Sequence, residues 1–166
     1  MKKIYLILST LLLIITPMSI IKISNEEYLN NFNINKKEDT PIGKITINKI
    51  NLNEYFYSIE STENTIEKHV SILKESDFPN ILILAAHSGI GKIAYFEKLD
   101  HLNINDEIKI NYDGKVYYYI IKEIWEEKKN GYININKELE HQLILTTCSP
   151  KKKNYQLVIN CIEKES

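Results

Sequence analysis

A single dipeptide, Asp113–Gly114, limits the possible folds of this chain more than any other feature. It separates two segments, 107–112 and 115–124, that are rich in β-branched and aromatic residues. Asp-Gly in that setting favours the two-residue turn of an antiparallel hairpin. Further short strand-like segments with turn residues between them occur at 42–50, 53–58, 81–86, 142–148 and 155–162. The sequence therefore predicts a mainly β domain, a small barrel or a sandwich.

Helical spacing of apolar residues is confined to short segments. The pattern in 64–73 predicts one short helix, and the pattern in 94–102 predicts one or two helical turns. The polar segment 126–141 is predicted to be a long loop with a weak helix near its end.

An apolar run from Ile4 to Ile21 follows two lysines at the start of the chain. A helix of that length spans about 27 Å, close to the ~30 Å hydrocarbon core of a bilayer. The run lacks a good small-x-small cleavage site, which favours a membrane anchor over the alternative, a cleaved signal peptide. The sequence predicts a signal-anchor helix at 1–23, a polar stalk at 24–40 and a folded domain at 41–166. Lysines before the run favour a cytoplasmic N-terminus.

Composition argues against several classes of function. The formal net charge is -1, so no nucleic-acid partner is expected. All 21 basic residues are lysines, so no guanidinium group is available to any site. No cluster of cysteines and histidines has the spacing of a metal site, and neither a metal nor another cofactor is expected.

Two reactive side chains lie at the ends of predicted strands. Cys148 closes the segment 142–148, and His87 follows the apolar segment 81–86. A thiol there can be a nucleophile or simply a small buried side chain, and an imidazole can transfer protons near neutral pH. The residues alone leave both interpretations open.

Cys161 differs from Cys148 because it alternates with Leu157 and Ile159 along one strand face, which predicts a core position. If Cys148 and Cys161 lie on neighbouring antiparallel strands, roughly 20 Å separates them. A disulfide needs Cα atoms within about 7 Å. Both cysteines are therefore predicted to stay reduced.

The tetrapeptides Ala86-His87-Ser88-Gly89 and Leu145-Thr146-Thr147-Cys148 resemble the two signature blocks of the sortase family. The segment 95–108 is similar to the family's F-x-x-L-x-x-L-x-x-G-D-x-I stretch, with Asn105 in place of the glycine. The segment 42–47 resembles the first barrel strand, I-G-x-I-x-I-P, with asparagine following in place of the proline. The resemblance covers residues 41–162.

The resemblance implies a closed β-barrel of about eight strands with short helices, preceded by a transmembrane helix. It also implies a cysteine transpeptidase in which Cys148 attacks the C-terminal sorting signal of a surface protein. An amine acceptor in the cell wall or on a pilin then resolves the thioacyl enzyme. His87 would be the catalytic imidazole, and Thr147 and Ser88 would contact substrate. The protein would be a single-pass cell-membrane protein with its catalytic domain outside.

One expected residue is missing. Sortases usually place an arginine on the strand after the cysteine, and Gln156 stands at that position here. Its amide can donate two hydrogen bonds but carries no charge. The resemblance leaves three alternatives: Gln156 supports the oxyanion, a lysine of 151–153 supplies the charge, or the domain is a weak or inactive module that binds sorting signals. A hydrolase that releases the acyl group is a further alternative.

Overall fold

The computed structural model describes residues 40–164. The predicted anchor at 1–23 and the stalk at 24–40 lie outside the described residues, except for Thr40. Among residues 40–164, no helix is long and apolar enough to cross a membrane.

Eight strands and two short 3-10 helices make up the described part of the chain. The strands are β1 (Gly43–Ile47), β2 (Leu52–Phe56), β3 (Ser71–Ile72), β4 (Ile81–Ala85), β5 (Glu107–Tyr112), β6 (Lys115–Lys128), β7 (Gln142–Cys148) and β8 (Tyr155–Glu163). The 3-10 helices are η1 (Asn48–Ile50) and η2 (Leu99–His101).

The strands form one sheet in the order β2-β1-β5-β6-β8-β7-β4-β3. All neighbours are antiparallel except β4 and β7, which run parallel. The two edges of the sheet approach each other where Phe56, at the end of β2, bridges to Val70, just before β3. The sheet is therefore a nearly closed barrel, in agreement with the predicted mainly β, eight-stranded architecture.

The sheet is apolar on both of its faces around β4, β7 and β8. The inner face belongs to a large core that includes Leu145, Leu157 and Cys161, all of them buried. On the outer face, Ile83, Ile144 and Val158 form a second cluster. Strands covered on both faces are expected to be continuously apolar, as the runs in β4 and β7 are.

The Asp-Gly hairpin and the strands β7 and β8 are confirmed. Tyr112 pairs with Lys115 across the turn, and Asp113 (φ 49°) and Gly114 (φ 76°) both have left-handed backbone. Positive φ at both central residues characterises the type I′ turn that suits twisted antiparallel strands.

The helix predicted over 64–73 is wrong. The backbone makes one hydrogen-bonded turn, in which the N–H of His69 donates to the carbonyl of Thr65 at 2.9 Å, and then enters β3. Val70 and Ile72 are both buried, so the strand that closes the sheet takes precedence over the helical spacing. The weak helix near the end of 126–141 is also wrong, because β6 continues to Lys128 and the rest is irregular. Of the helical turns predicted over 94–102, the structure contains only the 3-10 helix η2.

Asn105 has a left-handed backbone, with φ at 72°. Asparagine tolerates this conformation better than most residues that carry a side chain. The position where the family resemblance calls for glycine thus keeps a glycine-like backbone.

Gly43 lies against the ring of Phe56 in the barrel core. A Cβ added at Gly43 would lie 2.0 Å from Phe56 Cζ and 2.8 Å from the carbonyl oxygen of Asn111. We expect Gly43→Ala to lower the free energy of unfolding by about 1–3 kcal/mol, the usual cost of overpacking. Urea denaturation measures the loss. The double variant with Phe56→Leu should lose less than the sum of the single changes, and a loss for Gly43→Ala within experimental error would contradict the prediction.

Candidate active site

His87 and Cys148 lie at the ends of neighbouring parallel strands. Each is two residues beyond the last parallel pair of β4 and β7, Ala85 and Thr146. Adjacent strands are about 4.8 Å apart, and the Ser88 hydroxyl donates to the carbonyl of Cys148 at 2.9 Å. Cys148 is exposed and His87 is half-buried. The sequence-predicted thiol and imidazole are therefore brought to the same end of the sheet.

Thr147 takes no part in the surface around the thiol. It is buried, and its Oγ1 donates to the carbonyl of Ala86 at 2.8 Å, which ties β7 to the segment that carries His87. Its predicted contact with substrate stays a prediction, as does that of Ser88.

One carboxylate lies within electrostatic range of the imidazole. Hydrogen bonds, chiefly from the Thr65 hydroxyl and then from the backbone, hold the pKa of Glu67 below its ordinary value, and His87 contributes in the same direction. Glu67 is thus part of the charge environment of the site.

Gln156 lies directly across from Cys148 in the antiparallel pair of β7 and β8, so the two side chains share a face. Its Nε2 donates to Glu127 Oε1 at 2.9 Å and to the carbonyl of Tyr132 at 2.8 Å. An amide nitrogen has two N–H donors, and both are directed away from the thiol. Its predicted support of an oxyanion stays a prediction.

Lys129 contacts the thiol, and no pattern in the sequence indicates this contact. Its Nζ donates to Cys148 Sγ at 3.4 Å. Its backbone N–H donates to the carbonyl of Asn154 at 2.9 Å, one residue past the pair formed by Lys128 and Tyr155. The charged run 126–129 is typical of a solvated loop, whereas pairing with β8 extends β6 to Lys128.

Lys152, from the turn between β7 and β8, pairs with a different residue. Its Nζ lies 3.2 Å from Glu126 Oε2. The Ser149 hydroxyl chiefly, and Lys152 to a lesser extent, hold the pKa of Glu126 below its ordinary value. Because side chains alternate along a strand, Glu126 and Glu127 lie on opposite faces of β6. Gln156 and Cys148 share one face of the sheet, and Lys152 therefore lies on the other face.

The segment 129–141, which we call the β6/β7 loop, covers the outer cluster. Ile133 and Ile135 pack against that cluster, and the N–H of Asn134 donates to Glu127 Oε1 at 3.2 Å. A cavity of about 180 Å³ lies between the loop and the sheet. Its apolar lining includes Leu73, Ile81, Ile83, Tyr132, Ile133 and Ile135.

Across residues 40–164, no group of three or more histidine, cysteine or acidic side chains is placed to hold a metal ion.

A protein-family model of the sortase domain matches residues 45–163. The chain belongs to the sortase family. Sortases are cysteine transpeptidases, so the exposed thiol and the neighbouring imidazole lie in a fold used for that chemistry.

Solved structures with a similar fold are sortases as well. Sortase A from Corynebacterium diphtheriae is 23% identical with a TM-score of 0.65, over 84% of this chain and 68% of that one. Sortase C from Streptococcus pneumoniae is 20% identical with a TM-score of 0.67, over 81% and 72%. Sortase C-1 from Actinomyces oris is 18% identical with a TM-score of 0.64, over 78% and 77%. At these identities the likeness shows the fold alone. No curated protein matches this sortase in sequence.

Replacing Gln156 of this sortase with methionine is expected to loosen the β6/β7 loop. Methionine removes both N–H donors, so Glu127 and the carbonyl of Tyr132 each lose the hydrogen bond that they accept from the amide. Amide hydrogens of 132–134 should exchange roughly tenfold faster, which corresponds to the net contribution of about one hydrogen bond. Hydrogen exchange followed by mass spectrometry measures this.

A matched control is Gln142→Met, because Gln142 Nε2 donates to the carbonyls of Asn136 and Leu139 at the other end of the loop. That variant should loosen 136–139 and leave 132–134 protected. Unchanged exchange at 132–134 in Gln156→Met would show that Gln156 does not hold the loop.

Proposed function

We propose that this sortase cleaves a C-terminal sorting signal through a Cys148 thioacyl intermediate and transfers the protein to an amine acceptor at the cell surface. The observation that carries the proposal is the exposed Cys148 at the end of β7, beside His87 at the end of β4. A thiolate is a strong nucleophile, and a covalent intermediate divides one difficult acyl transfer into two easier steps.

In the first half of the reaction, the thiol gives its proton to His87. The thiolate donates an electron pair to the carbonyl carbon of the scissile bond, and the carbonyl π electrons move onto oxygen. When this oxyanion collapses, the C–N bond breaks, and the leaving nitrogen takes the proton from His87. The products are a thioester on Cys148 and a free amine.

In the second half, the amine acceptor attacks the thioester carbon and its proton passes to neutral His87. Collapse of the second oxyanion breaks the C–S bond, and the thiolate leaves. Its proton returns from His87, so the enzyme is restored. Toward the reacting nitrogen, the imidazole thus acts as acid in the first half and as base in the second.

The substrates would be surface proteins or pilins. Two observations support this choice: the chain is a sortase, and the structurally similar sortase C from Streptococcus pneumoniae has pilin substrate specificity. The apolar cavity beneath the β6/β7 loop is a candidate site for an apolar side chain of the sorting signal.

The predicted anchor at 1–23 would hold the catalytic domain at the outer surface of the cell membrane. Carbonate extraction of membranes tests this part of the proposal. A full-length protein retained in the membrane fraction supports an anchor, and release of a shortened protein contradicts it.

A thioacyl assay tests the activity itself. The full chain in detergent is mixed with a library of sorting-signal peptides, without and with an amine, and peptides of the protein are mapped by mass spectrometry. An acyl adduct on Cys148 that is transferred when the amine is added supports transpeptidation. Release to water alone would indicate a hydrolase. Peptide binding that survives Cys148→Ala, with no adduct in the wild type, would identify a binding module instead.

A further inference from the structure

Within residues 40–164, the cationic group in contact with the Cys148 thiol is the ammonium group of Lys129. Lys129 Nζ lies 3.4 Å from Cys148 Sγ. This is within hydrogen-bond distance for a sulfur acceptor.

The backbone of Lys129 is fixed by its pairing with β8. Its N–H donates to the carbonyl of Asn154 at 2.9 Å, directly after the pair formed by Lys128 and Tyr155. Gln156, one residue further along β8, pairs with Cys148. The strands β6, β8 and β7 thus fix how far the Lys129 side chain must reach to meet the sulfur.

Gln156 and Lys152, two other candidates for supporting the charge, have their own partners. Both N–H donors of Gln156 bind Glu127 and Tyr132, and Lys152 pairs with Glu126 on the other face of the sheet. The chain contains no arginine. Among these groups, Lys129 alone combines a positive charge with contact to the sulfur.

We propose that Lys129 is a catalytic residue whose ammonium group stabilises the Cys148 thiolate before attack and the oxyanion that forms beside it afterwards. This inference rests on the proposed function. An oxyanion forms on an atom bonded to the carbon that the sulfur attacks, so a cation at the sulfur is also close to the developing negative charge.

The effect should be moderate and sensitive to salt, since Lys129 is exposed to solvent. Unit charges about 4 Å apart in water change an equilibrium by roughly fivefold. A more stable thiolate is also a somewhat weaker nucleophile. Salt weakens such exposed interactions because the Debye length shrinks to about 3 Å at 1 M.

Alkylation of Cys148 by iodoacetamide tests the proposal without any sorting signal. The full chain in detergent is compared as wild type, Lys129→Met, Lys129→Arg and Lys128→Met, at neutral pH and in low and high salt. Lys128→Met is the matched control because Lys128 is the exposed neighbour, one residue earlier on β6. Peptide mapping separates Cys148 from Cys161, which is fully buried.

We expect Lys129→Met to react about two- to fivefold more slowly at low salt. Lys129→Arg and Lys128→Met should stay close to wild type, and high salt should shrink the difference between wild type and Lys129→Met. In the thioacyl assay, the rate for Lys129→Met should fall by a larger factor than the alkylation rate does. The reason is that Lys129 then stabilises the oxyanion as well as the thiolate.

Equal alkylation rates for wild type and Lys129→Met, or equal slowing in Lys128→Met, would overturn the proposal. A normal thioacyl rate for Lys129→Met would overturn it as well. If no peptide acylates the wild type, the proposed function fails, whereas the alkylation series still decides whether Lys129 acts on the thiol.

Discussion

Replacement of Cys148 by alanine is expected to abolish both thioacyl formation and transfer to the amine. Loss of a nucleophile lowers turnover by about 10⁴-fold or more in enzymes that work through a covalent intermediate. Cys161, the second cysteine, cannot compensate. It is fully buried in the barrel core, and burial raises the pKa of its thiol. It pairs with Leu143, five residues before Cys148 on β7, a distance of roughly 17 Å along the strand.

Single-turnover acylation by a peptide substrate, followed by mass spectrometry, measures the effect. Cys161→Ala is the matched control, since it removes the other thiol and should keep the adduct on Cys148. Cys148→Ala should fold normally because Cys148 is exposed at the end of β7. An acyl adduct in folded Cys148→Ala, or its loss in folded Cys161→Ala, would mean that the nucleophile is a different residue.

Local patterns were sufficient for the parts of the fold that depend on neighbouring residues. The turn at Asp113–Gly114 requires a particular backbone, which the dipeptide itself favours. Strands β7 and β8 are long apolar segments, and alternation along β8 places Cys161 in the core as predicted. In such segments the sequence signal and the tertiary environment agree.

The predictions that the structure contradicts lie where distant strands decide the conformation. The apolar spacing in 64–73 suits a helix, but Val70 bridges to Phe56 and helps to close the sheet. A single sequence does not display that partner, so the apolar spacing alone predicts a helix where the structure has β3. Tertiary pairing routinely overrides weak local preference in short segments of this kind.

The candidate site likewise combines residues indicated by the local sequence with residues placed by distant strands. Strand ends alone left the roles of His87 and Cys148 open, and the match to the family blocks pointed to the pair; the structure places both at the same end of the sheet. Lys129 could not be predicted, because its position depends on β6 continuing against β8 through a run of charged residues. The contacts that direct Gln156 to Glu127 and Tyr132 also join distant segments.

Replacement of His87 by alanine is expected to slow acylation by an amide substrate by about 10²–10⁴-fold, the usual contribution of general acid–base catalysis. The leaving nitrogen of a peptide bond departs as an amine only if it receives a proton. In the proposed mechanism that proton comes from the imidazole beside Cys148. The leaving group of an activated ester departs without a proton. Acylation by such an ester should therefore slow much less in the same variant.

The comparison of the two substrates separates catalysis from structure. His101→Ala is the matched control, since the His101 side chain is 66% exposed and lies on η2, outside the strands β4 and β7. Single-turnover rates for the amide and the ester are measured for wild type and both variants. Equal losses for amide and ester in His87→Ala would mean that His87 does not protonate the leaving nitrogen and acts only before that step, in forming the thiolate or in holding the site. Selective loss with the amide alone would establish it as the proton donor to the leaving amine.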